Sequence, residues 1–266
     1  MSGLTIQLEK LLDNAKRIKA SEFTAVVNDY KDLFARYSFR LRPSVGSISL
    51  VSCSNQTPQL GFSNMTSGPV LRRRLAALKD GKELKAPDRQ TPEKSLQSWL
   101  ISEAMHNDGR LTSIELALKD HHTYWFAADE IALNATNEND SAEKGERVVA
   151  DLLLVRTNGL DESELVNVEL KSERTTRTHS QIKAFWRFIE PKQYALWREF
   201  AEVMLEKKLR WKELGKTKGL VIWPGLSRSS KSSDSTARLM AGYKTDGIDT
   251  ICYFGPPYGF EAERCA

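Results

Sequence analysis

The chain has 266 residues, 40% of them hydrophobic and 28% charged, and a net charge of +4. That is ordinary globular composition with ample material for a core, in one large or two modest domains. No apolar run approaches the roughly 20 residues of a membrane span, and no signal-peptide core opens the chain, so a cytoplasmic protein without a membrane partner is expected. The three cysteines, Cys53, Cys252 and Cys265, are far apart and lack metal-ligand spacing, which predicts reduced thiols.

Leu8, Leu11, Leu12, Ala15 and Ile18 recur at helical spacing, predicting a helix over residues 5–20. A second helix is expected over 21–36 with Ser21 as its cap. The Ser-, Gly- and β-branched-rich stretch 45–62 reads as a short hairpin turning at 55–58, and 68–80 returns to helix. Arg72, Arg73 and Arg74 lie in its first turns as a solvated face. Residues 1–88 are thus expected to form a mostly helical module, joined by a polar linker to a second domain over 89–266.

Thr91-Pro92-Glu93 opens the next helix with a cap, a proline in the first turn and an acid near the positive end. Strands are expected at 114–118 and 124–133, with His121 and His122 as turn polarity between them. The run RVVADLLLVRT and the run ELVNVELK then read as two strands flanking a polar break. A two-residue Asn158-Gly159 turn pairs residues whose numbers sum to 317 and leaves Asp151 opposite Val166. A loop centred on Leu160, over 157–163, makes the sum 320 and sets Asp151 opposite Glu169. Only the second register buries Val166, Val168 and Leu170 together while gathering Asp151, Glu169 and Lys171, so it is preferred.

Two carboxylates at one place repel unless a cation lies between them. Mg²⁺ commonly takes one or two carboxylates plus waters and phosphate, and a lysine at the rim stabilises charge on the phosphate. Asp151 followed by Glu169-Leu170-Lys171 at the end of the next strand, and then a helix, resembles the PD-(D/E)xK nuclease superfamily. Ala150 stands where the motif has proline. Of six D/E-x-K triplets in the chain, only this one ends a strand that follows an Asp-bearing strand.

The resemblance implies a mixed central sheet flanked by helices, a restriction-endonuclease-like α/β core. It implies Mg²⁺, or Mn²⁺ in its stead, held by Asp151, Glu169 and the Leu170 carbonyl, with Lys171 assisting the attacking water. It also implies a glutamate from the preceding helix, Glu93 or Glu103. These point about 80° apart on a helix, so one serves, and Glu93-x-x-Leu96-Gln97 resembles the pattern of several branches. Gln181-x-x-x-Phe185 is similar to a Gln-x-x-x-Tyr element of an exonuclease branch, which assigns a role to Gln181.

A helix from about Ser180 is expected, interrupted at Pro191 and continuing to about Leu214, with Trp186, Trp197 and Trp211 in the core. Strands at 218–223 and 248–254, a flexible 227–235 and an irregular tail complete the chain. Arg174, Arg177, Lys183 and Arg187 surround the helix start as phosphate contacts. Between Asp129 and Glu173 stand 12 acids and 4 bases, a local charge of −8 that leaves +12 elsewhere. An acidic centre in a basic body suits a metal site that attracts a polyanion. The expected function is Mg²⁺-dependent hydrolysis of DNA, by the chain alone, as a homodimer or in a larger assembly. The alternatives are a non-cleaving DNA-binding protein or adaptor on the same fold, or a subunit active only when assembled.

Overall fold

A computed structural model of the chain describes residues 3–53, 61–62, 64–80, 91–134, 147–159, 161–172, 177–189, 191–212, 217–224, 241–254 and 261–264. Its centre is a seven-stranded mixed sheet. β4 (Thr123–Asn134), β5 (Arg147–Thr157) and β6 (Glu162–Leu170) form an antiparallel meander. β8 (Lys218–Pro224) and β9 (Ile248–Phe254) continue it in parallel, and β10 (Glu261–Arg264) closes the edge antiparallel to β9. The short β7 (Arg210–Trp211) pairs beside Glu162 and Ser163. A parallel neighbour needs a crossover, and between β6 and β8 it is made by α7 (Arg177–Arg187) and α8 (Pro191–Leu205).

The sheet is covered on both faces. On one, α7, α8 and the N-terminal α1 (Gly3–Lys19) bring Phe185, Trp197, Phe200, Leu4, Leu8 and Leu11 against Leu153, Val155 and Leu165. On the other, α5 (Pro92–His106) and α6 (Thr112–Leu118) pack Leu96, Leu100, Ile101 and Ile114 on Leu152, Leu154, Val166, Val168 and Leu170. Burial on both sides explains the nearly continuous apolar run of β6. A separate cluster unites α2 (Ser21–Asp29), α3 (Lys31–Tyr37), α4 (Gly68–Lys79) and a small sheet of β1 (Phe39–Pro43), β2 (Ile48–Ser52) and β3 (Gly61–Phe62). α1 belongs to both: Leu4 to Ala15 enter the main core, and Ile18 the smaller one.

Several local expectations are corrected. Residues 114–118 are helical, because Glu103 accepts from Thr112 Oγ1 (2.6 Å), Ser113 N (2.8 Å) and Ser113 Oγ (2.5 Å) and so caps α6. The 21–36 helix is two helices broken at Tyr30, and Ala20, not Ser21, holds the cap position. The helix after Pro191 ends at Leu205, and 210–211 is strand. The tail carries β10, and β1 precedes the expected hairpin. Cys53 is a free buried thiol, whereas Cys252 is disulfide-bonded, so reduced cysteine holds only for the former among the described residues. The turn at 55–58, the linker at 85–90 and residues 227–235 lie outside the described residues. Among those described, no helix is long and apolar enough to cross a membrane.

Gly219, paired with Asn167 across β6 and β8, lets α7 close on the sheet. A Cβ there would stand 2.8 Å from Ile182 Cγ2, 3.0 Å from Ile248 Cγ1 and 3.2 Å from Trp186 Cζ2. Gly219→Val should therefore lower unfolding stability by about 1–3 kcal/mol. Gly46→Ala, with nothing within 4 Å, should change it by less than about 0.5 kcal/mol; urea unfolding monitored by tryptophan fluorescence compares the two.

Candidate active site

β5 and β6 pair as Leu152↔Val168 through Thr157↔Ser163, a constant sum of 320, and the next position sets Asp151 opposite Glu169. The preferred register is the observed one. The described ladder stops at Leu152, and the Asp151 side chain takes over: its Oδ2 accepts from Leu170 N at 2.8 Å. On the far side β8 pins the strand end, where Lys171 N donates to Ile222 O at 3.0 Å. The Lys171 ammonium then lies 3.1 Å from Glu169 Oε2 and 4.0 Å from Asp151 Oδ2. The structure brings these three residues together.

α5 supplies the next shell of contacts. Thr91 Oγ1 accepts from Lys94 N at 3.3 Å and caps the helix. Glu93 reaches past that terminus to accept from Ser172 N (2.9 Å) and Ser172 Oγ (3.2 Å), just beyond Lys171. Gln97 Nε2 donates to the Asp151 carbonyl and to Glu130 Oε1, each at 2.9 Å. Lys94 binds Gln97 Oε1 at 3.0 Å and forms a close ion pair with Glu130. Of the two helix glutamates, Glu93 lies at the centre and Glu103 is committed to α6.

Burial makes this cluster electrostatically costly. It pushes the Glu169 carboxyl up to about 8, helped by Asp151 and opposed by Lys171. Asp151 is likewise raised by burial, although the Leu170 N–H and Lys171 pull it down. Glu169 is only 2% exposed, and its Oε1 has no hydrogen-bond partner. A buried carboxylate oxygen without a donor is one that a bound cation or water can satisfy.

No family model, curated protein or solved structure matches this chain. The geometry stands alone.

Among the described residues, no three His, Cys, Asp or Glu side chains form a group able to hold a metal ion. The chain offers two carboxylates, a donor set too small for a closed protein cage but suited to Mg²⁺, which keeps waters and takes substrate phosphate. The unpartnered Glu169 oxygen fits such an ion.

The expected phosphate contacts fare differently. Lys183 is turned to Asp246 at 2.8 Å, and His179 pairs with the same carboxylate. Gln181 is exposed on α7 and has no hydrogen bond to either site carboxylate. Arg187 is exposed and has a partner within the protein. Arg174 and the Arg177 side chain lie outside the described residues.

Gln97 stands in the Glu93-x-x-Leu96-Gln97 pattern, which assigns it no role of its own, and Glu130 in no pattern at all. The signal for Gln97 is a polar residue one turn from Glu93 among the apolar positions of α5. Glu130 had none, since its backbone is left-handed (φ 51°) inside a strand. The competing acid Asp129 is 1% exposed and bound by Arg40 and, at 3.4 Å, Arg42.

The raised Glu169 carboxyl binds its proton more tightly folded than unfolded, where it titrates near about 4.3. This contribution to stability is therefore full below the unfolded value and is lost as pH rises toward 8. Without divalent ions, Glu169→Gln should raise Tm by about 4 °C or more at pH 8.5 and change it little at pH 5. Scanning calorimetry at the two pH values checks this.

Proposed function

We propose that the chain is a Mg²⁺-dependent nuclease that hydrolyses DNA phosphodiester bonds, with a restriction-endonuclease-like core. The observation that carries the reading is the Asp151–Glu169–Lys171 cluster with its buried, unpartnered Glu169 oxygen. The mixed sheet of β4–β5–β6 and β8–β9, with α5 and α6 on one face and α7 and α8 on the other, supports it, because the resemblance implies a mixed sheet flanked by helices.

In this reading Asp151 and Glu169 would hold the ion, with the Leu170 carbonyl and Glu93 as further oxygen donors. Bound there, Mg²⁺ would neutralise phosphate charge and make water a better nucleophile at neutral pH. Lys171, packed against both carboxylates, presents its ammonium to the incoming phosphate. Gln97 fixes the backbone of Asp151, so the carboxylate meets substrate without reorganising. The +12 carried outside the acidic segment attracts the polyanion toward an otherwise repelling centre.

One observation favours a second reading, a subunit whose DNA grip is completed in a larger assembly. Lys183, one of the four expected phosphate contacts, is committed to Asp246.

Asp151→Asn and Lys171→Ala should each reduce cleavage of plasmid or linear DNA by at least about 100-fold, a loss of roughly 2.7 kcal/mol in transition-state stabilisation. Excess Mn²⁺ should partly restore Asp151→Asn, whose loss is in ion affinity, and leave Lys171→Ala inactive. Cutting by both variants at the unmodified rate sinks the assignment. Non-specific DNA affinity should also fall with salt at a log–log slope of about −0.9 per neutralised phosphate. Fluorescence anisotropy between 50 and 200 mM salt measures it, and a flat profile counts against DNA as the substrate.

A further inference from the structure

Asp129↔Leu152 and Ile131↔Ala150 bracket Glu130 opposite Asp151, while the β5–β6 register sets Glu169 on its other side. Three carboxylates thus stand in one row across three adjacent strands. The strand alternation is interrupted at this level. Ala150 packs with α1 and Leu152 with α5, although residues two apart in a regular strand share a face. Glu130 sits in the left-handed region, which a residue with a Cβ adopts at a cost and which clusters at functional sites.

Each outer glutamate of the row carries one ammonium. Lys171 lies against Glu169 at 3.1 Å, and Lys94 pairs with Glu130. Both lysines also act electrostatically on Asp151 in the middle. The two halves differ in one respect. Glu130 Oε1 is held by Lys94 and by Gln97 Nε2 at 2.9 Å, whereas buried Glu169 Oε1 has no partner. The Glu130 oxygen that faces Gln97 already meets a cation, and the buried Glu169 Oε1 meets none.

We propose that Lys94 is a built-in second cation. Its ammonium fills, beside Glu130 and Asp151, the place a second divalent ion takes in two-metal phosphoryl-transfer sites, so this chain holds one divalent ion rather than two. The inference rests on the metal-dependent reading above. Gln97 acts as the strut: it holds the Lys94 ammonium through its Oε1 and Glu130 and the Asp151 backbone through its Nε2. Lys94 is 38% exposed at its side chain, so the ammonium can also meet a substrate oxygen.

The test is a count of bound ions on the full chain, using Mn²⁺ without DNA, by isothermal calorimetry and by the paramagnetic signal of free Mn²⁺. The unmodified chain should bind one ion. Lys94→Met, which keeps the stem and removes the charge, should bind two, because Glu130 and Asp151 are then open to a second. Adding Glu130→Gln to Lys94→Met should return the count to one. Lys94→Gln repeats the measurement if the methionine variant does not fold. A merely structural salt bridge would change melting temperature without changing the count. One ion in both the unmodified and Lys94 variants overturns the built-in cation while leaving the metal-dependent reading intact. Two ions in the unmodified chain overturn it equally. No ion in the unmodified chain overturns the metal-dependent reading itself, and the built-in cation with it.

Discussion

Everything at the candidate centre depends on the register of β5 against β6. Side chains on paired strands meet by parity, so shifting either strand by one residue would carry its charged residue to the other face. With the observed register Asp151 lies beside Glu169, the latter buried and the former half-buried. The layers on the two sheet faces, from Leu152, Val166 and Val168 on one to Leu153 and Leu165 on the other, lock that register by burial. Hydrophobic packing thereby holds together two carboxyl groups whose simultaneous ionisation electrostatics opposes.

Polar contacts at the strand ends then soften the repulsion without abolishing it. Asp151 gains the Leu170 N–H, and Lys171 sits between the two acids, its own backbone anchored to Ile222. Farther out, the buried Asp129 ties β4 to the small sheet through Arg40 and Arg42. Arg40 Nε also donates to the Cys53 thiol at 3.0 Å, so β1, β2 and β4 meet in one ionic knot. That knot fixes the strand on which Glu130 adopts its left-handed backbone.

The register was legible because parity is a property of sequence: three apolar and three charged residues distribute sensibly in only one pairing. The α5 start was legible for a similar local reason, with Thr91, Pro92 and Glu93 each satisfying one demand of a helix terminus. Where the reading failed, a distant partner decided. Ile114, Ala117 and Leu118 make a short apolar run compatible with either strand or helix, and Glu103, from another helix, caps the second outcome. Lys183 looked free for phosphate until the chain after β8 brought Asp246 to it. Glu130 hides because no local pattern announces a positive φ within a strand. The mixed sheet and its flanking helices follow from periodicity, but the contacts that tune the centre come from residues far apart in sequence.

The backbone bond from Lys171 to Ile222 has a consequence for synthesis. Asp151, Glu169 and Lys171 leave the ribosome well before β8, yet the strand end that carries the lysine is anchored only after the α7–α8 crossover returns. A nascent chain halted before Ile222 holds the charged residues without the frame that aligns them. Translation itself therefore delays the assembled centre until most of the sheet has emerged, so an unfinished chain carries the charges without their alignment.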